Sequence, residues 1–338
     1  MAKITKVKYF TKDKVAKINP ENQAKYDKYL KSNIIKNKDV EDTSFKVYAG
    51  NFKQFLVFIA EEWDNIDLYS DEFFVDAVDI VESFISFCQE TLKNNKKTIN
   101  NKIAAVSTFY LWSLRRGLID RHPFDKKLDR MKGASEEKIL NSYFLTDDEI
   151  DIIQEGLKDT SKFDIIDRLI FSIMLDSANR VGAISKLKVN DLDVDKCVFT
   201  NIREKRGYIT EVSVSDETLL LIQEWLEKRK DMDNLSVDYF FITYYGKEYR
   251  KMSKGTIQKR VKKIGTIIGI EDFYSHCLRK TSLNSIYEKT GDLSLAAEMG
   301  NHKSTETTRS SYIKPISKAE VREKIKNIIN KNNALNEL

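Results

Sequence analysis

The side chains best suited to chemistry lie near the C-terminal end of the chain. His276 and Arg279 are three residues apart, so on a helix both project from one face. An imidazole and a guanidinium directed at one point suit an anion that both can bind. The simpler interpretation is that both side chains are solvated at the protein surface, so this pair alone does not identify a site.

Three further candidates lie elsewhere in the sequence. His302 and Tyr312 are ten residues apart across a predicted helix junction, and a tyrosine there is by itself typical of packing. Arg180 follows an apolar helical run over residues 169–175, where a buried guanidinium needs an anionic partner. A substrate phosphate is one such partner.

Helices must position most of these residues. The chain has only three prolines and twelve glycines, and apolar residues recur with helical period in 45–60 and 102–115. The polar stretch 123–143 is predicted to be a linker. Thr146, followed by acidic residues, predicts the first helix of a second domain.

Short β-rich runs predict a small sheet from residues 197–202, 208–214 and 239–243. The first two runs form a hairpin around a glycine turn, with Lys205 at its tip. Arginines on either side of Lys205 compete with it for any functional role there.

The composition excludes several classes of protein. With 41% hydrophobic and 32% charged residues over 338 positions, the chain can bury ordinary cores. It has no apolar run of ~20 residues that would cross a membrane, and its N-terminus shows no secretory signal, so we expect a cytoplasmic protein. The three cysteines, Cys88, Cys197 and Cys277, match neither a disulfide framework nor a zinc site, and no P-loop or GxGxxG motif occurs.

Charge is distributed unevenly along the chain. The whole chain has a net charge of +5, but residues 1–60 carry +7, residues 61–90 carry −10 and residues 91–135 carry +8. This pattern predicts either a basic DNA-facing surface with an acidic rear or a solvated acidic helix pair between basic neighbours. A second basic run predicts a phosphate-binding surface at six side chains: Lys251, Lys254, Lys259, Arg260, Lys262 and Lys263.

Six of the candidate residues occur in an order that resembles the tyrosine recombinases of the phage integrase family. In sequence order they are Arg180, Lys205, His276, Arg279, His302 and Tyr312. The step of 23 residues from Arg279 to His302 resembles the spacing usual in that family. The resemblance implies a mainly α fold with a small β-sheet hairpin, in which a helical, SAM-like core-binding domain precedes a catalytic-type domain.

The resemblance divides the chain into five segments. Residues 1–39 form an N-terminal extension that is either an arm or an extra helix. The core-binding domain spans 40–122, the linker 123–143 and the catalytic-type domain 144–316. A C-terminal helix over 317–338 has an apolar stripe, which predicts docking on a neighbouring protomer in a homo-oligomer on DNA, or equally on its own domain.

The resemblance also implies a reaction on double-stranded DNA that needs no metal or other cofactor. Tyr312 attacks the scissile phosphate and forms a 3′-phosphotyrosyl intermediate. The other implied roles are phosphate binding by Arg180 and Arg279, protonation of the 5′-leaving oxygen by Lys205, proton transfer at the tyrosine by His276, and a phosphate hydrogen bond from His302.

The sequence departs from the family's pattern at three positions, of which Ala183, together with a modest match of the hairpin, keeps a second function open. Ala183 stands where the family commonly has an acidic residue that steadies Arg180, Asn301 stands where a glycine often precedes the last histidine, and Tyr312 lies ten rather than nine residues after His302. Asn301 still tolerates a left-handed backbone.

The first predicted function is a site-specific recombinase of a phage or mobile element. The alternative is a transcriptional regulator, such as a prophage repressor, that binds DNA without cleaving it; a topoisomerase ranks last.

Overall fold

Helices make up most of the described chain, with small antiparallel sheets beside them, as the sequence predicts. The computed structural model describes residues 9–36, 42–129, 131–132, 143–203, 208–232, 236–314, 318, 321–323 and 325–326. The chain divides into two units, Met1–Asn141 and Ser142–Leu338, and each has its own hydrophobic core. Of the helices in these ranges, none is both long and apolar enough to cross a lipid bilayer.

The structure describes five helices in the first unit, and side chains cap the first turn of three of them. These helices are α1 (Lys12–Ala16), α2 (Pro20–Lys36), α3 (Asp42–Glu62), α4 (Asp71–Glu90) and α5 (Lys96–Arg115). Thr11, Ser70 and Asn95 precede α1, α4 and α5, and each accepts a hydrogen bond from a backbone N–H of the first turn. The caps therefore fix where these helices begin.

Aromatic rings fill the core of this first unit. Phe52 and Phe109 are fully buried, and their ring centroids lie 4.9 Å apart. Tyr26 of α2 stacks on Phe52 at 3.9 Å, and Tyr29 packs edge-on against Phe109 at 5.7 Å. Helix α2 falls in the segment that the sequence left open as an arm or an extra helix. These contacts make it part of the core of the first unit.

The second unit is built around one central helix. Its helices are α6 (Asp147–Gly156), α7 (Ile165–Ser177), α8 (Val181–Ile184), α9 (Asp216–Lys230), α10 (Lys254–Ile264), α11 (Ser275–Thr290), α12 (Leu293–Met299) and α13 (Thr305–Tyr312). Two 3-10 segments, Val189–Asp191 and Gly265–Ile268, connect elements. Thr146 caps α6 in a capping box, as the sequence predicts. The side chains of α7 are largely buried, and this helix packs against α9, α10 and α11.

The strands form two separate antiparallel sheets. Strands β1 (Leu192–Asp193), β2 (Val198–Arg203) and β3 (Ile209–Ser213) pair in the order β1-β2-β3, which includes the predicted hairpin. Strands β4 (Ile242–Tyr245) and β5 (Glu248–Lys251) form a second hairpin.

The third strand predicted over 239–243 is confirmed only in part: Tyr239 forms an isolated antiparallel bridge with Lys188, and a strand includes Ile242 and Thr243. Phe240 and Phe241 are both buried, so this stretch lacks the alternation of a half-buried strand, and the strand begins only at Ile242. Gly246 and Lys247 both have positive φ values, 63° and 67°. Two consecutive left-handed residues make a tight hairpin turn, and this turn pairs β4 with β5 instead.

Replacing Phe109 with alanine tests the aromatic core of the first unit. We expect the free energy of unfolding to fall by about 3–5 kcal/mol, because removing a buried ring leaves a cavity. Val75→Ala is the control, since that side chain is 77% exposed, and it should change stability by no more than about 0.5 kcal/mol. Urea unfolding followed by circular dichroism measures both. Equal effects would contradict this account of the core.

Candidate active site

Arg279 joins three elements at the centre of the site. It lies on α11 and is only 1% exposed. Its guanidinium donates hydrogen bonds to the carbonyl oxygens of Ala178 and Gly300, and to Nε2 of His302 at 2.7 Å. Ala178 and Gly300 are the residues that end α7 and α12. Carbonyl groups at helix C-termini lack intrahelical partners and lie at the negative end of the helix dipole, so they suit a buried cation.

Arg180 reaches the same region from the segment that follows α7. Ala178 has a left-handed φ of 52°, which turns the chain at the end of the helix. The buried amide of Asn179 donates to a backbone oxygen in β3 at 3.1 Å. Asp176 accepts hydrogen bonds from the backbone N–H and the hydroxyl of Ser215, at 2.9 and 2.8 Å. These bonds hold the chain immediately before Arg180 against β3 and the start of α9.

Ala183 occupies the position where the sequence lacks the family's acidic side chain. It is 1% exposed on α8 and belongs to the apolar core of the second unit. A methyl group cannot accept a hydrogen bond, so no carboxylate at this position steadies Arg180. The bonds made by Asp176 and Asn179 are the ones that fix the segment leading to it.

His302 lies beside both arginines, just after α12. Its Nδ1 is 2.7 Å from the hydroxyl oxygen of Thr308, a fully buried side chain on α13. Burial, together with the positive charges of Arg279 and Arg180, lowers the pKa of His302 to about 4. The ring is therefore neutral near pH 7.

The backbone before His302 is shaped to admit its ring. A Cβ on Gly300 would stand 2.9 Å from the imidazole of His302 and 3.2 Å from the side chain of Leu283. Asn301 has a φ of 49°, in the left-handed region that the sequence analysis allowed for this residue. A larger residue at position 300 would push the imidazole away from Arg279.

Tyr312 is the last residue of α13 and packs inside the site. It is 8% exposed, and its ring centroid lies 4.6 Å from that of His302 and 6.4 Å from that of the exposed His276. The guanidinium carbon of Arg279 is 5.0 Å from the same ring centroid. The structure thus brings Tyr312, both C-terminal histidines and Arg279 together, as well as Arg180.

Lys205 lies outside the described residues, but the strands on either side of it are described. Lys186 donates to the backbone oxygen of Arg203 at 2.6 Å, where β2 ends. Lys303 donates to the hydroxyl oxygen of Tyr208, just before β3 begins. The base of the hairpin is therefore joined to the segments that carry the first arginine and the last histidine of the site.

The basic run along β5 and α10 differs at its two ends. Lys254 lies at the start of α10. Its Nζ is 3.6 Å from the point where a Cβ on Gly182 would stand, and Gly182 follows Arg180 closely in the sequence. Near the other end, Arg260 binds the carboxylates of Asp164 at 2.9 Å and of Asp167 at 2.7 Å. Asp167 is 1% exposed, so this ion pair fixes α10 against the start of α7. Arg260 therefore has a structural role that the sequence did not reveal.

The other four lysines of the run have different surroundings. Lys251 lies 4.7 Å from the ring centroid of Tyr239, Lys263 donates to the backbone oxygen of Lys162, and Lys259 and Lys262 are exposed. Lys263 is exposed as well, but its ammonium group is bound to that backbone oxygen.

Thr308 is the residue of this site that the sequence analysis did not single out. It lies four residues before Tyr312, so on α13 both side chains share one face. That spacing is the signal that could have found it. Within the described ranges, no group of three or more histidine, cysteine, aspartate or glutamate side chains is placed to hold a metal ion.

Known proteins match this chain over most of its second unit and beyond. The sequence pattern of the phage integrase family matches residues 143–318. Tyrosine recombinase XerC of Xanthomonas axonopodis pv. citri (strain 306) is 22% identical over 214 residues, which cover 63% of this chain and 66% of that protein. Tyrosine recombinase XerC of Mycobacterium sp. (strain JLS) is 20% identical over 273 residues, which cover 79% of this chain and 87% of that protein. The chain thus spans just under two thirds of the length of the first relative.

The fold is similar to that of a solved recombinase. The XerH site-specific recombinase bound to difH substrate, in a pre-cleavage complex, matches with a TM-score of 0.61 and 19% identity. The match covers 84% of this chain and 78% of that chain. At this level of identity, the likeness concerns the fold.

The His302 ring should titrate near pH 4, well below the range usual for histidine, because burial and the two arginines disfavour its charged form. The chain has only three histidines, so ring signals followed by NMR during a pH titration can be assigned with single substitutions. The unfolded chain takes up this proton near pH 6.5 and the folded chain only near pH 4, so stability is lost as pH falls through that window. His302→Gln should remove this part of the pH dependence, and an ordinary pKa for His302 would contradict the account.

Proposed function

This chain belongs to the phage integrase family of tyrosine recombinases, and on that premise we propose that it is a site-specific DNA recombinase of a phage or mobile element. Double-stranded DNA is the proposed partner and substrate. The related proteins named above are recombinases, and the XerH structure holds its difH substrate. The relatives named above do not favour the alternative of a regulator that leaves DNA uncut.

The observation that carries the proposal is the position of Tyr312 inside a cluster of cationic and imidazole side chains. Arg279 is buried beside its ring, and burial followed by the positive charges of Arg279 and Arg180 lowers the pKa of His302 in the same place. A phosphodiester is the anion that such a cluster suits, because planar guanidinium groups bind two phosphate oxygens at once. A tyrosine hydroxyl at the same place supplies a nucleophile.

In the proposed reaction, the hydroxyl oxygen of Tyr312 attacks the scissile phosphorus. A bond forms between Tyr312 and the 3′-phosphate, while the bond from phosphorus to the 5′-oxygen breaks. The tyrosine proton leaves with the assistance of His276, and the departing 5′-oxygen takes a proton from Lys205. The 5′-hydroxyl of a second strand then reverses these steps. Each cleaved bond is conserved as a phosphotyrosine, so the exchange needs no cofactor.

The remaining site residues stabilise charge on the phosphate during these steps. Arg180 and Arg279 hold the non-bridging oxygens, and His302 donates a hydrogen bond to one of them. Ala183 offers Arg180 no carboxylate, but the bonds of Asn179 and Asp176 hold the segment before Arg180 in place. A C-terminal contact between protomers on DNA completes the proposal, and Val321 and Ile325 on that segment are exposed.

A nicked duplex should trap this protein on DNA. Duplexes that bind Tyr312→Phe protein are first selected from a random library, and each is then nicked at successive positions near the bound centre. Wild-type protein should form a complex that survives SDS, because the freed 5′ fragment diffuses away and the reverse step is blocked.

Two variants decide this experiment. Tyr312→Phe should form no covalent complex, whereas Ser311→Ala should form it like the wild type, since Ser311 lies at the nine-residue spacing but has no proposed role. Specific binding with no covalent product at any nick position would overturn the recombinase proposal. If Ser311→Ala loses the complex and Tyr312→Phe retains it, Ser311 rather than Tyr312 is the nucleophile, and the proposed assignment is wrong.

Two lysines at opposite ends of α10 should contribute unequally to DNA binding. Lys254 lies near Gly182, beside the proposed phosphate site, whereas Lys263 binds a backbone oxygen of its own unit. Lys254→Gln should lower affinity and reduce the slope of log K against log salt concentration by about 0.9, the value for one lost phosphate contact. Lys263→Gln should leave the slope unchanged. Equal slopes for the two variants, measured by fluorescence anisotropy, would contradict this placement.

A further inference from the structure

The imidazole of His302 is held at both of its nitrogens. Arg279 lies 2.7 Å from Nε2 and the hydroxyl of Thr308 lies 2.7 Å from Nδ1. A guanidinium can only donate hydrogen bonds, so Nε2 must accept one. A neutral ring then carries its single proton on Nδ1, and the hydroxyl oxygen of Thr308 accepts the bond from it. The free protein thus holds one defined tautomer of His302.

Phosphate binding requires the opposite tautomer. In the proposed function, on which this inference rests, His302 donates a hydrogen bond to the scissile phosphate. The nitrogen that faces Arg279 is Nε2, so Nε2 is the atom that meets a phosphate bound to that arginine. It can donate only if it carries the proton. Nδ1 then becomes an acceptor, and its partner must donate.

Thr308 can meet both demands because a hydroxyl group both accepts and donates. Its side chain is fully buried, so no bulk water can replace it at Nδ1. A group that could only donate or only accept would leave Nδ1 without a hydrogen-bond partner in one of the two tautomers. That tautomer would then be higher in free energy, because a buried polar atom without a partner is costly. Serine is the other residue that could supply such a group here, whereas valine has the shape of threonine without the hydroxyl.

We propose that Thr308 is a positioning residue that lets His302 change tautomer when the scissile phosphate binds. In the free protein its hydroxyl accepts from Nδ1–H, and in the DNA complex it rotates and donates to Nδ1. The exchange takes place through solvent while the half-buried ring is briefly released from Thr308: one proton is taken up at Nε2 and one leaves Nδ1, so the charge of the ring does not change. Thr308 itself does not touch the phosphate.

Ring ¹⁵N NMR reads this change directly, because protonated and unprotonated ring nitrogens of neutral histidine differ strongly in chemical shift. The three histidines of the chain keep the spectrum simple, and His302→Gln assigns the signals. We expect the Nδ1–H form in free protein and the Nε2–H form in Tyr312→Phe protein bound to the selected, uncut duplex. The same tautomer in both states would overturn the proposal, since a purely structural threonine would not move it.

Cleavage rates of three variants give the second readout. Thr308→Val should form the covalent complex about 10-fold to 100-fold more slowly, the range expected when a buried polar group loses its partner. Thr308→Ser should restore the rate to within about 3-fold of the wild type. Thr307→Val makes the same chemical change at the neighbouring, exposed position and should cleave normally. A Thr308→Val protein that cleaves like Thr307→Val would overturn the proposal.

These measurements separate the tautomer proposal from the proposed function. The NMR comparison needs DNA binding but no cleavage, so it decides whether His302 changes tautomer even if wild-type protein leaves every duplex uncut. Failure of wild-type cleavage would overturn the recombinase function alone. Thermal unfolding of Thr308→Val and Thr307→Val, followed by circular dichroism, shows whether a slow variant is also an unfolded one.

Discussion

The burial of the Arg279 guanidinium is the constraint on which the arrangement of the site depends. A charge taken out of water must be met by hydrogen bonds, and the fold supplies them from the C-terminal ends of α7 and α12. Both helix ends must therefore lie against α11. Carbonyl oxygens at two buried helix ends would otherwise lack hydrogen-bond partners, and here they accept hydrogen bonds from a cation. One arginine thus fixes where three elements meet and where an anion can bind.

The other functional side chains take their places from this junction. The left-handed residue that ends α7 turns the chain directly into Arg180, and the turn after α12 presents His302 to the same guanidinium. Helix α13 then returns along this turn, so that Thr308 reaches one side of the imidazole and the ring of Tyr312 lies tilted against it, with the centroids 4.6 Å apart. The proposed nucleophile, the proposed phosphate-binding groups and the neutral histidine all take their positions from a single packing arrangement.

Local patterns in the sequence predict much of this. The order of arginine, lysine, histidine and tyrosine residues indicates the family, and the helical periodicity and the cap at Thr146 predict the mainly helical fold and the start of α6. The structural role of Arg260 was not predictable, because its partners Asp164 and Asp167 lie more than 90 residues away along the chain. Thr308 was missed for a similar reason. The role proposed for Thr308 depends on its contact with Nδ1 of His302, and a threonine in a polar helix gives no signal of such a contact in the sequence.

The central claim is that Tyr312 becomes joined to DNA, and the identity of the modified residue tests it most directly. The SDS-stable complex formed on a nicked duplex is digested with nuclease and protease, and the peptide that retains a nucleotide is sequenced by mass spectrometry. The account predicts one modified peptide, with the nucleotide attached through its 3′-phosphate to Tyr312. Attachment at another residue, or through a 5′-phosphate, would contradict it.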